Sequence, residues 1–311
     1  MVKYILHRLL QLIPVILVLS FLTYGLLYLA PGDPALMKLK AGGIAPSPEA
    51  LEKTRQEMGL DKPFLQRYAD WLVDVIHGDL GTSYKDGTSV AGKMQRATKY
   101  TLILTGSALL LSLILALPLG ILAALLYRKL PDHLIRFAAF IGCAVPTFLA
   151  GLLLIYFLCI RVQLLPVISR GTAKGLILPS CAMALSIAGE YIRQIRGETL
   201  EQMSQSFVLA ERVRGDREWI VIVKNVLRNA SLSLTTILGL SFAGLLGGSV
   251  VTETIFMWPG LGKMAMDAIS NRDYPVVQGF VLWMSVIYII VNLVTDIVYR
   301  LVDPRIKEAK G

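Results

Sequence analysis

The sequence predicts an all-α membrane protein of six transmembrane helices with a helical cap on its outer face. Three observations lead there. Of its 311 residues, 55% are hydrophobic and 17% are charged, against roughly 25% charged in soluble domains. The missing charge is concentrated: residues 9–32, 100–127, 137–160, 175–189, 230–252 and 276–295 contain no Asp, Glu, Lys or Arg. All but the fourth block reach the roughly 20 residues that cross a hydrocarbon core. Lys and Arg gather in alternate connections between the blocks, as cytoplasmic loops require.

The elements follow in order. Block 9–32 is preceded by Lys3 and Arg8. It is longer than a signal-peptide core and ends without a small-x-small cleavage site, so it reads as a retained span. The connection 33–99 has helical spacing. Ser47 caps a helix begun by Pro48, with Glu49 and Glu52 in its first turns, and Gly59 and Pro63 close it. A second helix over 64–77 places Leu65, Tyr68, Trp71, Leu72 and Val75 at spacings of three and four. Blocks 100–127, 137–160 and 175–189 supply three spans.

The connection 190–229 holds seven basic and six acidic residues, yet Ile192, Ile195, Leu200, Met203, Phe207, Val208, Ala210 and Val213 keep a helical period. Gly215 breaks it, and Trp219, Ile220, Ile222 and Val223 resume it, so the segment reads as helix, turn, helix. Four charges in mid-bilayer would cost roughly 10 kcal/mol on insertion scales, which excludes another span. An amphipathic pair outside the bilayer packs against helix ends or a soluble partner. Blocks 230–252 and 276–295 complete the six.

With the N-terminus inside, the inner connections 1–8, 128–136, 190–229 and 296–311 carry sixteen Lys and Arg; the short outer connections 161–174 and 253–275 carry five. The ten in 33–99 do not count, because long loops escape the bias. Both termini are therefore expected in the cytoplasm. The net charge of +9 reflects this topology and contact with anionic lipid, not nucleic-acid binding.

The chain lacks a phosphate-binding loop; its nearest fragment, GLGKM at 260–264, has neither the upstream glycine nor the hydroxyl residue. Neither HExxH nor GxSxG occurs. Cys143, Cys159 and Cys181 sit in apolar blocks as filler, and His7, His77 and His133 are scattered, so no metal ligand set or catalytic residue is assigned. Glu190, Glu253 and Asp296 lie only at block edges, which disfavours ion-coupled transport. Candidate path residues are Thr147, Ser186, Thr236, Ser249 and Asn292, although each one alone is better explained as packing between helices than as a substrate contact.

The motifs resemble the permease family of dipeptide, oligopeptide and nickel ABC importers along essentially the whole chain. RLLQLIPVILVLSFLTYGLLYLAPGDPA at 8–35 resembles its first helix, and MGLDKPFLQRYADWL at 58–72 with GDLGTSY at 78–84 its outer cap. ETIFMWPGLG at 253–262, RDYPVVQG at 272–279 and NLVTDIVYRLVDPRI at 292–306 resemble its C-terminal third. The resemblance implies the type I importer permease fold and a non-enzymatic subunit of the bacterial inner membrane. It also implies a second homologous permease, two cytoplasmic ATPases that bind the ATP and Mg, and an extracytoplasmic binding protein. No cofactor is expected in this chain.

The organisation expected is a first helix over 1–32, a cap over 33–99, a five-helix core over 100–300 and a tail over 301–311. SFVLAERVRG at 206–215 corresponds to the family's coupling helix, which implies ATPase contacts at Phe207, Ala210, Glu211, Gly215 and Trp219. Glu211 and Val213 stand where alanines are usual, and Ser233 replaces a frequent proline. Several segments, including LPDHLIRFAAFIG at 130–142, are nearer the nickel branch, so nickel or a small nickel chelate is the expected cargo. Di- or oligopeptides are the alternative, and a membrane-embedded enzyme a remote one.

Overall fold

The structure, a computed structural model, describes residues 2–30, 32–41, 47–215, 217, 220–222 and 227–302. For 2–9, 11, 12, 41, 227–238, 240, 243 and 298–302 it describes the backbone alone. The helices are α1 Val2–Leu29, α2 Pro34–Ala41, α3 Pro48–Glu57, α4 Phe64–Ile76, α5 Val90–Leu125 and α6 Leu130–Ala144. They continue with α7 Thr147–Leu154, α8 Ala173–Met203, α9 Ser206–Val213, α10 Leu227–Ile255, α11 Leu261–Ser270 and α12 Tyr274–Val302. Among the described residues, three are single helices long and apolar enough to span a bilayer, and counting each of two bent pairs as one span gives five. The 29-residue α10 covers the remaining block.

Two expected spans are corrected. Block 137–160 is not one straight helix. Pro146 has no N–H to donate and drives the residue before it out of the α region. Val145 is accordingly extended (φ −82°, ψ 118°), and the chain bends by 100° between α6 and the segment Thr147–Arg161. Past Leu154 that segment becomes a π-helix, Ile155–Arg161.

Block 175–189 does not end at its last uncharged residue. Thr172 caps α8 by accepting from the Gly175 N–H at 3.1 Å, and α8 then runs unbroken through Glu190, Arg193 and Arg196 to Met203. Its buried face carries on through Tyr191, Ile192, Ile195 and Thr199, while Arg193 stays exposed. The first helix expected in 190–229 is thus the end of a span. The first break falls at Ser204–Gln205, ahead of Gly215.

The chain forms two compact units. One comprises Met1–Tyr100 with Pro259–Ile290, the other Thr101–Trp258 with Val291–Gly311. In the first, α3 starts and stops as its sequence demands: Ser47 Oγ accepts from the Ala50 N–H at 3.1 Å, and Gly59 takes φ +61° just beyond the end. Helix α4 lies on α1 through rings. Phe64 meets Phe21, Tyr24 and Tyr28 with centroids 5.1–5.7 Å apart, and Tyr24 also meets Tyr68 edge to face at 5.5 Å and Trp71 at a tilt at 5.7 Å.

Sequence-distant segments close this unit. The Ser83 hydroxyl donates to Asp273, the Tyr84 N–H donates to the other Asp273 oxygen at 2.8 Å, and Lys93 donates to Ser83 at 3.0 Å. Beneath them Val90, Met94 and Ala97 pack with Leu261, Ala268, Val276 and Val277. In the second unit α8 is the hub, packed on α6, α7 and α10. Ala116 of α5 and Ala139 of α6 join Tyr191, Ile192 and Ile195 of α8 in one buried cluster.

Candidate functional site

Within the second unit, the bend at Pro146 starts α7 at Thr147, facing α8 and α10. The three helices enclose a cavity of about 240 Å³ lined by Thr147, Ser186, Glu190, Ser241 and the backbone of Gly244 and Gly248, over an apolar floor that includes Met183 and Leu245. Thr147 and Ser186, both expected on a path, are brought together here. Glu190, read as the edge of a block, was not expected. Glu190 is one helical turn beyond Ser186, and Ser241, Gly244 and Gly248 share one face of α10 by their spacing. That periodicity was the available signal, hidden for Glu190 by ending the span at Gly189.

The other candidate path residues fall elsewhere. Ser249 is fully buried and donates to Glu253 at 3.2 Å. Asn292 is half-buried on α12 and does not line this cavity. The Thr236 side chain lies outside the described residues. Glu253, expected at a block edge, is inside α10 and fully buried. Its carboxyl oxygen accepts from Thr101 at 2.7 Å as well as from Ser249, so hydroxyls from α5 and α10 hydrogen-bond a polar group that would be costly to bury unpartnered.

Helix α9 is held from beneath. Val208 is fully buried against Val221, with Phe207 and Met203 packed beside them. Phe207 therefore anchors α9 more than it presents itself. Ala210 is exposed and Glu211 half-exposed. The outer face also carries two apolar side chains that had not been singled out, Leu209 at 65% and Val213 at 81% exposure. Gly215 ends the segment with φ +86°, a conformation that favours glycine. Trp219 lies outside the described residues.

Upstream of α9, Asp132 is fully buried. It accepts from Arg196 Nε at 2.7 Å and from its second nitrogen at 2.8 Å, and from the Arg128 N–H at 3.0 Å. The Arg196 guanidinium also stacks 5.4 Å over the Tyr127 ring. Hydrogen bonds from Arg196 hold the Asp132 carboxyl below its usual range, although burial pushes the other way. This clamp ties the α5–α6 connection to the segment of α8 that leads into α9.

The comparisons with known proteins bear on this arrangement. Residues 116–308 match the family described as binding-protein-dependent transport system inner membrane component. Residues 1–105 match its N-terminal companion, described for the same transport-system membrane components. The chain belongs to this permease family. The glutathione transport system permease protein GsiC of Escherichia coli strain K12 is 34% identical to this permease over 307 residues, 99% of each chain. GsiC of Salmonella typhimurium strain LT2 is similar to the same extent.

Among solved structures, the permease fold is similar to the MetNI methionine ABC transporter in inward-facing form, with a TM-score of 0.56, 17% identity and coverage of 68% of this chain and 96% of that one. It is likewise similar to an amino acid ABC transporter, with a TM-score of 0.55, 18% identity and coverage of 69% and 94%. The permease is thus a multi-pass inner-membrane transport subunit with the type I importer fold, not an enzyme. It works with an ATPase and a substrate-binding protein, as its family implies.

Proposed function

We propose that this permease pairs with a homologous sister subunit to carry small peptides inward, with two ATPases on its cytoplasmic face and a binding protein on the outer one. What carries the reading is the form of α9, pinned by Val208 while Leu209 and Val213 stand in solvent. Exposed apolar side chains on a rigid short helix fit a partner's groove. The sixteen-to-five distribution of basic residues supports a cytoplasmic α9 beside the ATPases, which would supply ATP and Mg, and an outward-facing 33–99. The path runs by the cavity of Thr147, Ser186, Glu190 and Ser241.

Peptide replaces nickel as the favoured cargo because the relatives matched end to end are named for glutathione transport, and glutathione is a tripeptide. The test is uptake by proteoliposomes containing both permeases and both ATPases, with the binding protein outside. ATP-dependent accumulation of radiolabelled glutathione or alanine tripeptide is expected. Accumulation of nickel ions with no peptide uptake would restore the nickel reading.

A further inference from the structure

Helix α4 has three sides. Phe64, Tyr68 and Trp71 meet the rings of α1. Arg67, Asp70 and Asp74 line a cavity of about 850 Å³ within the first unit. The third side is apolar: Leu65, Val73 and Ile76 are 68%, 52% and 75% exposed, and their spacing, with exposed Ala69 between them, sets them in one stripe. Such a stripe on a segment between spans marks a surface that something covers.

The packing on α1 says what covers it. Phe64 lies against Tyr28, next to the last residue of α1. Tyr68 shares a hydrogen bond of 2.9 Å with Ser20 and donates to the Leu17 carbonyl at 3.4 Å; both lie near the middle of the charge-free block 9–32. At roughly 1.5 Å per residue, Leu17 to Tyr28 is about 16 Å of helix axis, about half of a hydrocarbon core. Helix α4 therefore lies beside the C-terminal half of this span, not above it. Because Phe64 reaches the end of α1 and Tyr68 its middle, the two helices run in opposed senses. The exposed Val18, Leu22 and Leu29 of α1 then fall on the same side of the pair as Leu65, Val73 and Ile76, away from the cavity, which Leu27 and Arg67 line. One apolar surface thus crosses from a span onto α4. Between the helices Tyr24, Tyr28 and Trp71 supply the aromatic side chains that favour a membrane–water boundary.

We infer that the stripe of α4 is seated among the acyl chains of the lipid leaflet around the C-terminal end of α1, the outer leaflet in the proposed topology. Part of the cap is then an interfacial helix, with its charged side toward the cavity and its apolar side in lipid. The inference rests on α1 as a span and is indifferent to the cargo.

The test uses the assembled importer, made cysteine-free and reconstituted in liposomes, with one bimane-labelled cysteine at a time. Leu65→Cys, Val73→Cys and Ile76→Cys probe the stripe, Gln66→Cys and Asp74→Cys the polar side, and Leu26→Cys the exposed face of α1. Labels on the stripe are expected to be quenched several-fold more strongly by doxyl-labelled phosphatidylcholine than labels at 66 and 74, with the order reversed for water-soluble acrylamide. Acrylamide quenching of the stripe as strong as that of the polar side puts the face in water and overturns the inference. Protection of the stripe from both quenchers puts a protein surface on it, the binding protein or the sister permease, and overturns it equally. Lipid quenching at Leu26→Cys without any on the stripe rejects the seated helix and spares the span; its absence at both rejects the span as well.

Discussion

Asp132 shows how a single charge can be kept inside such a protein: two nitrogens of Arg196 and one backbone N–H meet it. Removing one partner of a buried pair strands the other and costs roughly 3–5 kcal/mol, while replacing both with apolar groups is often neutral. Asp132→Ala is therefore expected to lower the unfolding temperature in detergent sharply, and Asp132→Leu with Arg196→Met to recover most of it. Because the folded carboxyl lies below its unfolded value, its contribution is complete above the unfolded pKa of about 3.9 and fades as pH falls through the folded one. The parent should lose stability below about pH 4 by more than the double variant does; equal losses reject the clamp.

Gly215 gives a second prediction. A side chain there would meet nothing within 4 Å, so the cost is backbone strain at φ +86°, roughly 1–2 kcal/mol. Gly215→Val should leave the permease inserted, abolish uptake and uncouple ATP hydrolysis from the loaded binding protein. Normal uptake at normal abundance would show that the turn is mere surface. The role of Gly215 as a breaker was legible because it is local. The partners of Asp132 and Glu253 were not, since Arg196 and Thr101 are separated from them by long stretches of chain and no periodicity joins them.

Helix α8 meets α6 through small residues. A Cβ on Gly189 would lie 2.4 Å from the Ala139 carbonyl oxygen and 2.9 Å from Cys143 Sγ, and one on Gly142 would lie 2.9 Å from the Leu185 oxygen. In a bilayer, where lipid tails remove the hydrophobic drive, such close approach is what holds helices together. Gly189→Leu must push the two helices apart, and a folded, monodisperse peak on size-exclusion chromatography should disappear; an unchanged profile would mean that α6 and α8 yield without cost. Helices α3 and α4 were legible nearly to the residue because Ser47, Pro48, Gly59 and Pro63 act on their nearest neighbours. The bend at Pro146 was in view as a proline, but proline also sits inside α1, α5 and α8 without ending them. Nothing local separates those cases.

At the scale of the molecule, the basic-residue asymmetry predicts sidedness. Cysteines placed at the exposed positions Lys85 and Lys174 should react with an impermeant maleimide added outside intact cells, and one at exposed Arg214 only after permeabilisation. Labelling of position 214 from outside inverts the topology. The whole-chain pattern of six blocks was legible because it depends on composition alone. The grouping of Pro259–Ile290 with the first hundred residues was not, because it is made by Asp273 reaching Ser83 and Tyr84 and by a shared buried cluster. That grouping has a consequence in time. A ribosome making roughly 5–20 residues per second needs about 8–30 s to traverse residues 101–258. Throughout that interval Val90, Met94 and Ala97 are already made and their packing partners do not yet exist. The early-made half of the unit is a substrate for chaperones and surveillance proteases until the last helix emerges, and nascent chains stalled before residue 259 should be degraded faster than those stalled after residue 290.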